Sequence, residues 1–200
     1  MAPCCGSVKM RRSITANLSP AGCHPTGKLA GVPDRLVQAI FLVEDLAVAS
    51  GEMAAVGLTT VAGGRHPGRG TANVIVPLGA QYLELLAVVD RAEAGASPQG
   101  RPVVAALAGR GPGLARWSVE PADLGVASAR SGLAIERRER LRPDGVTVRW
   151  ESVGVDEAWA HPWRCAYMSW PDPSQQPGRQ LVEHRSGATG FTIEVAVPDE

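Results

Sequence analysis

A carboxylate inside an apolar strand is the residue of this sequence with the most chemistry to offer. Glu84 stands in the run Gln81 to Val89, which is otherwise almost wholly apolar. A carboxyl group there is costly unless it binds a cation or accepts hydrogen bonds. Strand alternation puts Glu84 on one face with Tyr82 and Leu86, and puts Gln38 on one face with Ile40 and Leu42 in the run Leu36 to Val43. Glu84 then has two readings: a ligand or acid–base group, or a charge satisfied by an arginine such as Arg116. His66 lies in the glycine-rich stretch Gly63 to Gly70, where an imidazole could serve as a general base or ligand near neutral pH, or simply pack in a turn. Asn73 shares a strand face with Thr71 and could bond a substrate or cap a strand end.

The elements that must position these groups follow a grammar of strand, helix and glycine. After the strand Leu36 to Val43, Asp45 is the expected N-cap of a helix whose apolar face is Leu46, Ala49, Met53 and Val56, ending at Gly57. Strands are expected at Leu58 to Val61, Thr71 to Leu78 and Gln81 to Val89, with Gly63 to Gly70 a loop. The order then repeats. Asp45 to Ser50 matches Asp123 to Ser128 at five of six positions, an offset of 123 minus 45, or 78, and Gly57-Leu58 recurs as Gly132-Leu133. Leu114 to Val119 precedes the second helix, and Ala134 to Leu141, Val146 to Val153 and Arg164 to Trp170 follow it. Asp90 to Arg110 holds one helix, around Val103 to Ala108.

The chain therefore reads as α+β, with tandem βαβββ modules forming a curved mixed sheet around a cavity. Its boundaries are 35–90 for the first module, 91–112 for a linker with a helix, 113–171 for the second module and 172–200 for an extension. Residues 1–34 read as a disordered leader: up to Pro33 there is no acidic residue, and four prolines interrupt it.

Composition removes several functional classes. Twenty Lys and Arg balance twenty Asp and Glu, so no overall field attracts nucleic acid or an anionic membrane. Arg137, Arg138 and Arg140 alternate with Glu136 and Glu139 and read as a solvated strand face. No apolar run has the length of a membrane span. Cys4, Cys5, Cys23 and Cys165 have no zinc-site spacing. The expectation is a soluble cytoplasmic protein with a small-molecule ligand, and the free edges of its modules suit a homodimer.

The run Gly64-Arg65-His66-Pro67-Gly68-Arg69-Gly70-Thr71-Ala72-Asn73, followed by Val74 to Gly79 and by Tyr82-Leu83-Glu84-Leu85, resembles the glyoxalase-like domain of the vicinal oxygen chelate superfamily. His184, Gly187 and Ala188 resemble a His-x-x-Gly-Ala segment of the same family. The resemblance implies paired βαβββ modules and a divalent metal in the cavity, with ligands from the first and last strands of each module. Gln38 and Glu84 occupy two of those positions, and His66 or waters would complete the shell. The second module departs from the pattern. It offers Arg116 or Ser118 on its first strand and Tyr167 or Ser169 on its last, none a good divalent-metal ligand.

Two functions compete at this stage. One is a metal-assisted lyase or isomerase in which Glu84 and His66 act on a small oxygenated substrate, with Asn73, Tyr82, Arg116, Ser118, Tyr167 and Ser169 around it. The other is a metal-free binding or sequestering protein of the bleomycin-resistance type. A scaffold with a collapsed pocket is a third.

Overall fold

In a computed structural model, residues 7–10, 34–142 and 145–194 are described. The rest of the expected leader, with Cys4, Cys5 and Cys23, lies outside the described residues. Of that leader, Ser7–Met10 forms a strand, β1, paired antiparallel with a strand near the other end of the chain.

Both modules are present with the same strand order. The first comprises β2 (Arg35–Leu42), α1 (Leu46–Ala55), β3 (Val61–His66), β4 (Thr71–Leu78) and β5 (Gln81–Val88). The connection carries α2 (Arg91–Ala96) and α3 (Arg101–Arg110). The second module comprises β6 (Gly113–Glu120), α4 (Leu124–Ser131), β7 (Glu136–Leu141), β8 (Thr147–Val153), a short α5 (Val155–Ala160) and β9 (Ala166–Ser169). One eight-stranded sheet runs β3-β4-β5-β2-β6-β9-β8-β7. Each half places its opening strand parallel to its closing strand, β2 with β5 and β6 with β9, and the halves join through the antiparallel β2/β6 pair.

The duplicated Asp-Leu motif does the same local work twice. Asp45 accepts hydrogen bonds from the backbone N–H groups of Ala47 and Val48 at 2.7 and 2.9 Å, and Asp123 from those of Gly125 and Val126 at 2.7 and 3.1 Å. These satisfy donors that a helix start otherwise leaves without partners. Gly132, at φ 70°, ends α4 in the left-handed region that a glycine enters without strain.

Three local expectations are corrected. The second strand of the first module begins at Val61, not Leu58, and continues through the glycines expected to be loop. Leu58 is buried, while Thr59 donates its N–H to His184 Nδ1 at 2.9 Å and its hydroxyl to the Glu183 carbonyl at 2.6 Å. The tail thus takes the polar groups that a sheet ladder would use. The linker holds two helices: Asp90 caps α2 by accepting from the N–H of Glu93 at 2.9 Å. The described part of the tail includes β10 (Phe191–Glu194), the partner of β1. Phe191 and Ile193 pack with Leu36, Val76, Leu83 and Trp117 on the side of the sheet away from the cavity. Burial of this kind is worth roughly 1.5–3 kcal/mol per large side chain.

Candidate functional site

Glu84 is the centre of a hydrogen-bonded chain with an arginine at each end. Its Oε2 accepts from Gln38 Nε2 and its Oε1 from Asn73 Nδ2, both at 2.7 Å. Gln38 Oε1 in turn accepts from an Arg116 guanidinium N–H at 3.2 Å and from the Ser118 hydroxyl at 2.9 Å. Asn73 Oδ1 accepts from an Arg140 guanidinium N–H at 3.2 Å. Each amide therefore turns its nitrogen to the carboxylate and its oxygen to an arginine, the one orientation that satisfies both neighbours. Glu84 touches neither arginine directly; the charges communicate through the two amides. Glu84, Gln38, Asn73, Arg116 and Ser118 are all buried.

The sheet register places these groups. In the β2/β5 pair Ile40 lies opposite Glu84 and Gln38 opposite Tyr82, so Gln38 and Glu84 are diagonal neighbours. Gln38 also lies opposite Ser118, and Ile40 opposite Arg116, across β2/β6. The offset of 78 residues that relates the two N-caps also separates Arg116 from Gln38. The opening positions of the two modules thus touch each other. By the same offset Ser118 corresponds to Ile40, and Ser118 pairs with Ala166 as Ile40 pairs with Glu84. The second-module counterpart of the acid is thus Ala166, not Tyr167 or Ser169.

These groups line a cavity of about 140 Å³ enclosed by the sheet. Gln38, Glu84, His66, Asn73, Tyr82 and Arg116 are on its wall. Ser118 stands behind Gln38 and supports it. Tyr167 and Ser169 are not on the wall, because strand parity turns Met168 and Trp170 inward in their place. Tyr167 packs instead against the core cluster on the opposite side of the sheet. Trp150, Trp159 and Trp170 add an aromatic wall, with Trp170 edge-on to Tyr82 at 6.2 Å between ring centres.

Of the three β7 arginines expected on a solvated face, only Arg137 lies there. Arg137 is exposed, but Arg138 and Arg140 point into the cavity, joined there by Arg69. Period-two alternation puts Glu136, Arg138 and Arg140 on one face of β7, with Arg138 paired to Glu136, and Arg137 and Glu139 on the other. Arg140 also donates to the Gly63 carbonyl, so it bridges the two edges of the curled sheet, β7 and β3. At Gly63 the ladder of β3 with β4 slips by one residue, and a Cβ there would lie 1.9 Å from Asn73 Oδ1. Glycine at that position makes room for the amide that holds Glu84.

His66 Nδ1 lies 2.9 Å from Thr71 Oγ1. Burial, reinforced by Arg140 and Arg69, lowers its pKa to about 4 against an opposing pull from Glu84. The imidazole is therefore neutral at pH 7. Burial likewise holds the guanidinium groups of Arg69 and Arg116 below their usual range. Tyr82, raised chiefly by burial and further by Glu84, keeps its phenolic proton.

The donor set does not fit the divalent ion that the resemblance implies. Gln38 offers its nitrogen rather than its oxygen toward Glu84, and a guanidinium stands at the second module's ligand position. Both Glu84 oxygens already accept amide N–H groups. Among the described residues no group of three or more His, Cys, Asp or Glu side chains could hold a metal. His184, singled out in the tail, bonds the Thr59 N–H and meets the Pro77 carbonyl, fastening the tail to β4.

Fold and site together define a protein of paired βαβββ modules around a cavity. Residues 39–200 match the family described as Glyoxalase-like domain, and the chain belongs to that family, within the vicinal oxygen chelate superfamily. Among solved structures it is similar to a hypothetical protein from Staphylococcus aureus, at 16% identity and a TM-score of 0.55, over 73% of this chain and 62% of that one. The chain thus spans less than two thirds of that protein. It is also similar to methylmalonyl-CoA epimerase from Mycobacterium tuberculosis (19% identity, TM-score 0.46, 72% of this chain and 89% of that one). The Streptomyces coelicolor methylmalonyl-CoA epimerase matches at 17% identity and a TM-score of 0.49, over 69% of this chain and 98% of that one. No curated protein matches the sequence. Among the described residues no helix is long and apolar enough to cross a membrane.

Proposed function

We propose that this protein is a lyase or isomerase that acts on a small oxygenated substrate, with Glu84 as the group that accepts and returns a proton. The observation that carries this reading is a buried carboxylate fixed from two sides by amides on the wall of a partly apolar cavity. A carboxylate so held loses little freedom on meeting a carbon acid, and orientation of this kind lowers a barrier substantially. Negative charge developing on a substrate oxygen after proton removal would face the guanidinium of Arg116 in a low-dielectric site. Neutral His66, on the same wall, is able to pass a proton. No step is assigned to a metal, since the donors here do not suit one.

A second reading is a metal-free binding or sequestering protein. It is favoured by the saturation of both Glu84 oxygens and by the tryptophans around the cavity. The Glu84→Gln variant separates the two. With proton exchange into small carbonyl compounds and hydroxy acids followed by NMR in deuterated water, the wild-type protein is expected to exchange and the variant to fall by about 10²-fold or more. An unchanged exchange rate in a folded variant rejects the catalytic role. Ligand binding without exchange by either protein supports the binder.

A further inference from the structure

The buried guanidinium of Arg116 lacks the partner its position demands. The residue is 6% exposed, and its Nε has no hydrogen-bond partner. One terminal nitrogen donates to a neutral amide oxygen, Gln38 Oε1, and the guanidinium carbon lies 5.5 Å from the centre of the Trp159 ring. Neither contact supplies a negative charge. The wall carries two acids, Glu84, which is turned to the amides of Gln38 and Asn73, and Asp156, and among the described residues neither forms an ion pair with Arg116. A desolvated cation with an orphan donor is expensive unless an anion joins it.

The wall holds four arginines, Arg69, Arg116, Arg138 and Arg140, against two acids, and of the four only Arg138 is ion-paired among the described residues, with Glu136. Arg69 and Arg140 also line the cavity, and among the described residues none of Arg69, Arg116 and Arg140 forms an ion pair with a carboxylate. A second cavity, of about 280 Å³, shares His66, Arg69 and Arg140 with the first, so these side chains stand between the two spaces. Among the described residues no acidic side chain lines that second space.

We propose that the inner cavity binds a small carboxylic acid, its carboxylate on the guanidinium of Arg116 and its path of approach marked by Arg69 and Arg140. The proposal rests on the reading above for where a ligand sits, and not on turnover. Size and donor supply select the class. A space of about 140 Å³ accepts a body of roughly six to eight non-hydrogen atoms, about that of benzene. Ile40 lies opposite Arg116 across β2/β6 and the Trp159 ring lies against its guanidinium, so few donors accompany it. A carboxylate has two oxygens to satisfy there, whereas inorganic phosphate has four and a greater charge.

Isothermal titration of the full chain with pyruvate, lactate, malonate and benzoate, against their amides and against inorganic phosphate, tests this. At least one carboxylate should bind at least about tenfold more tightly than its amide, with the affinity falling as salt is raised. Arg116→Gln should weaken that binding by about 10-fold to 100-fold while Arg116→Lys restores part of it, and folding of each is checked by circular dichroism. If Arg116→Gln does not fold, Arg69→Gln supplies the test and should weaken binding by several-fold. Equal affinity for acid and amide, binding of phosphate alone, or no binding of any acid overturns the proposal. Glu84→Gln distinguishes the two readings: it should bind the acid at least as tightly as the wild type. Loss of exchange with retained binding bears on catalysis alone, and loss of acid selectivity bears on Arg116.

Discussion

Arg140 on β7 donates to Asn73 Oδ1 on β4 at 3.2 Å, across the seam where the two ends of one sheet come face to face. The residues are 67 positions apart in sequence, and their contact couples sheet closure to the position of Glu84, because the Asn73 nitrogen is the donor to Glu84 Oε1. Shape and chemistry are linked through one amide.

That linkage predicts the effect of Gly63→Ala. The new methyl would overlap Asn73 Oδ1, so the amide must leave Glu84 and Arg140 or the strand must shift. A stability loss of about 1–3 kcal/mol is expected in urea unfolding. Asn73→Ala in the same background should recover part of it, since it empties the contested space. Additive effects of the two substitutions would show that they do not share this contact.

His66 sets a pH dependence with a definite sign. Its pKa falls to about 4 in the folded chain from an ordinary 6.5, chiefly through burial, so the unfolded chain binds the extra proton first as pH drops. Stability from this group is present above about pH 6.5 and is lost progressively as pH falls toward 4, by up to about 3 kcal/mol. Denaturant midpoints between pH 7 and 4 should therefore decline less in His66→Gln than in the wild type. Parallel declines would remove His66 as the cause.

Metal ions should leave thermal stability unchanged. The amide nitrogens of Gln38 and Asn73 occupy both Glu84 oxygens where a cation would need to bind, and Arg116 holds the oxygen of Gln38. Melting curves with Mn²⁺, Ni²⁺, Zn²⁺ or Mg²⁺ test this directly. A melting temperature that climbs with concentration of one ion, and does not climb in Glu84→Gln, would establish a native-state site.

Much of the fold was legible because its signals are local. The Asp45 and Asp123 caps and the apolar runs of β2, β4 and β5 each act within a few residues. Duplication supplied the pairing of the modules. The start of β3 was not legible, because the groups that hold Leu58 to Thr60 out of the ladder come from Glu183 and His184. Nor was the role of Arg138 and Arg140, whose orientation depends on which face of β7 meets the cavity.

The amino-acid order by itself determined that a carboxylate would sit within an apolar strand of the first of two repeated units, since strand period and helix caps are properties of short stretches of chain. Which groups meet that carboxylate was decided only by the tertiary structure. Partners 46 and 11 residues away, and arginines beyond them, are brought together by sheet register and by curvature, and both depend on the packing of the whole chain.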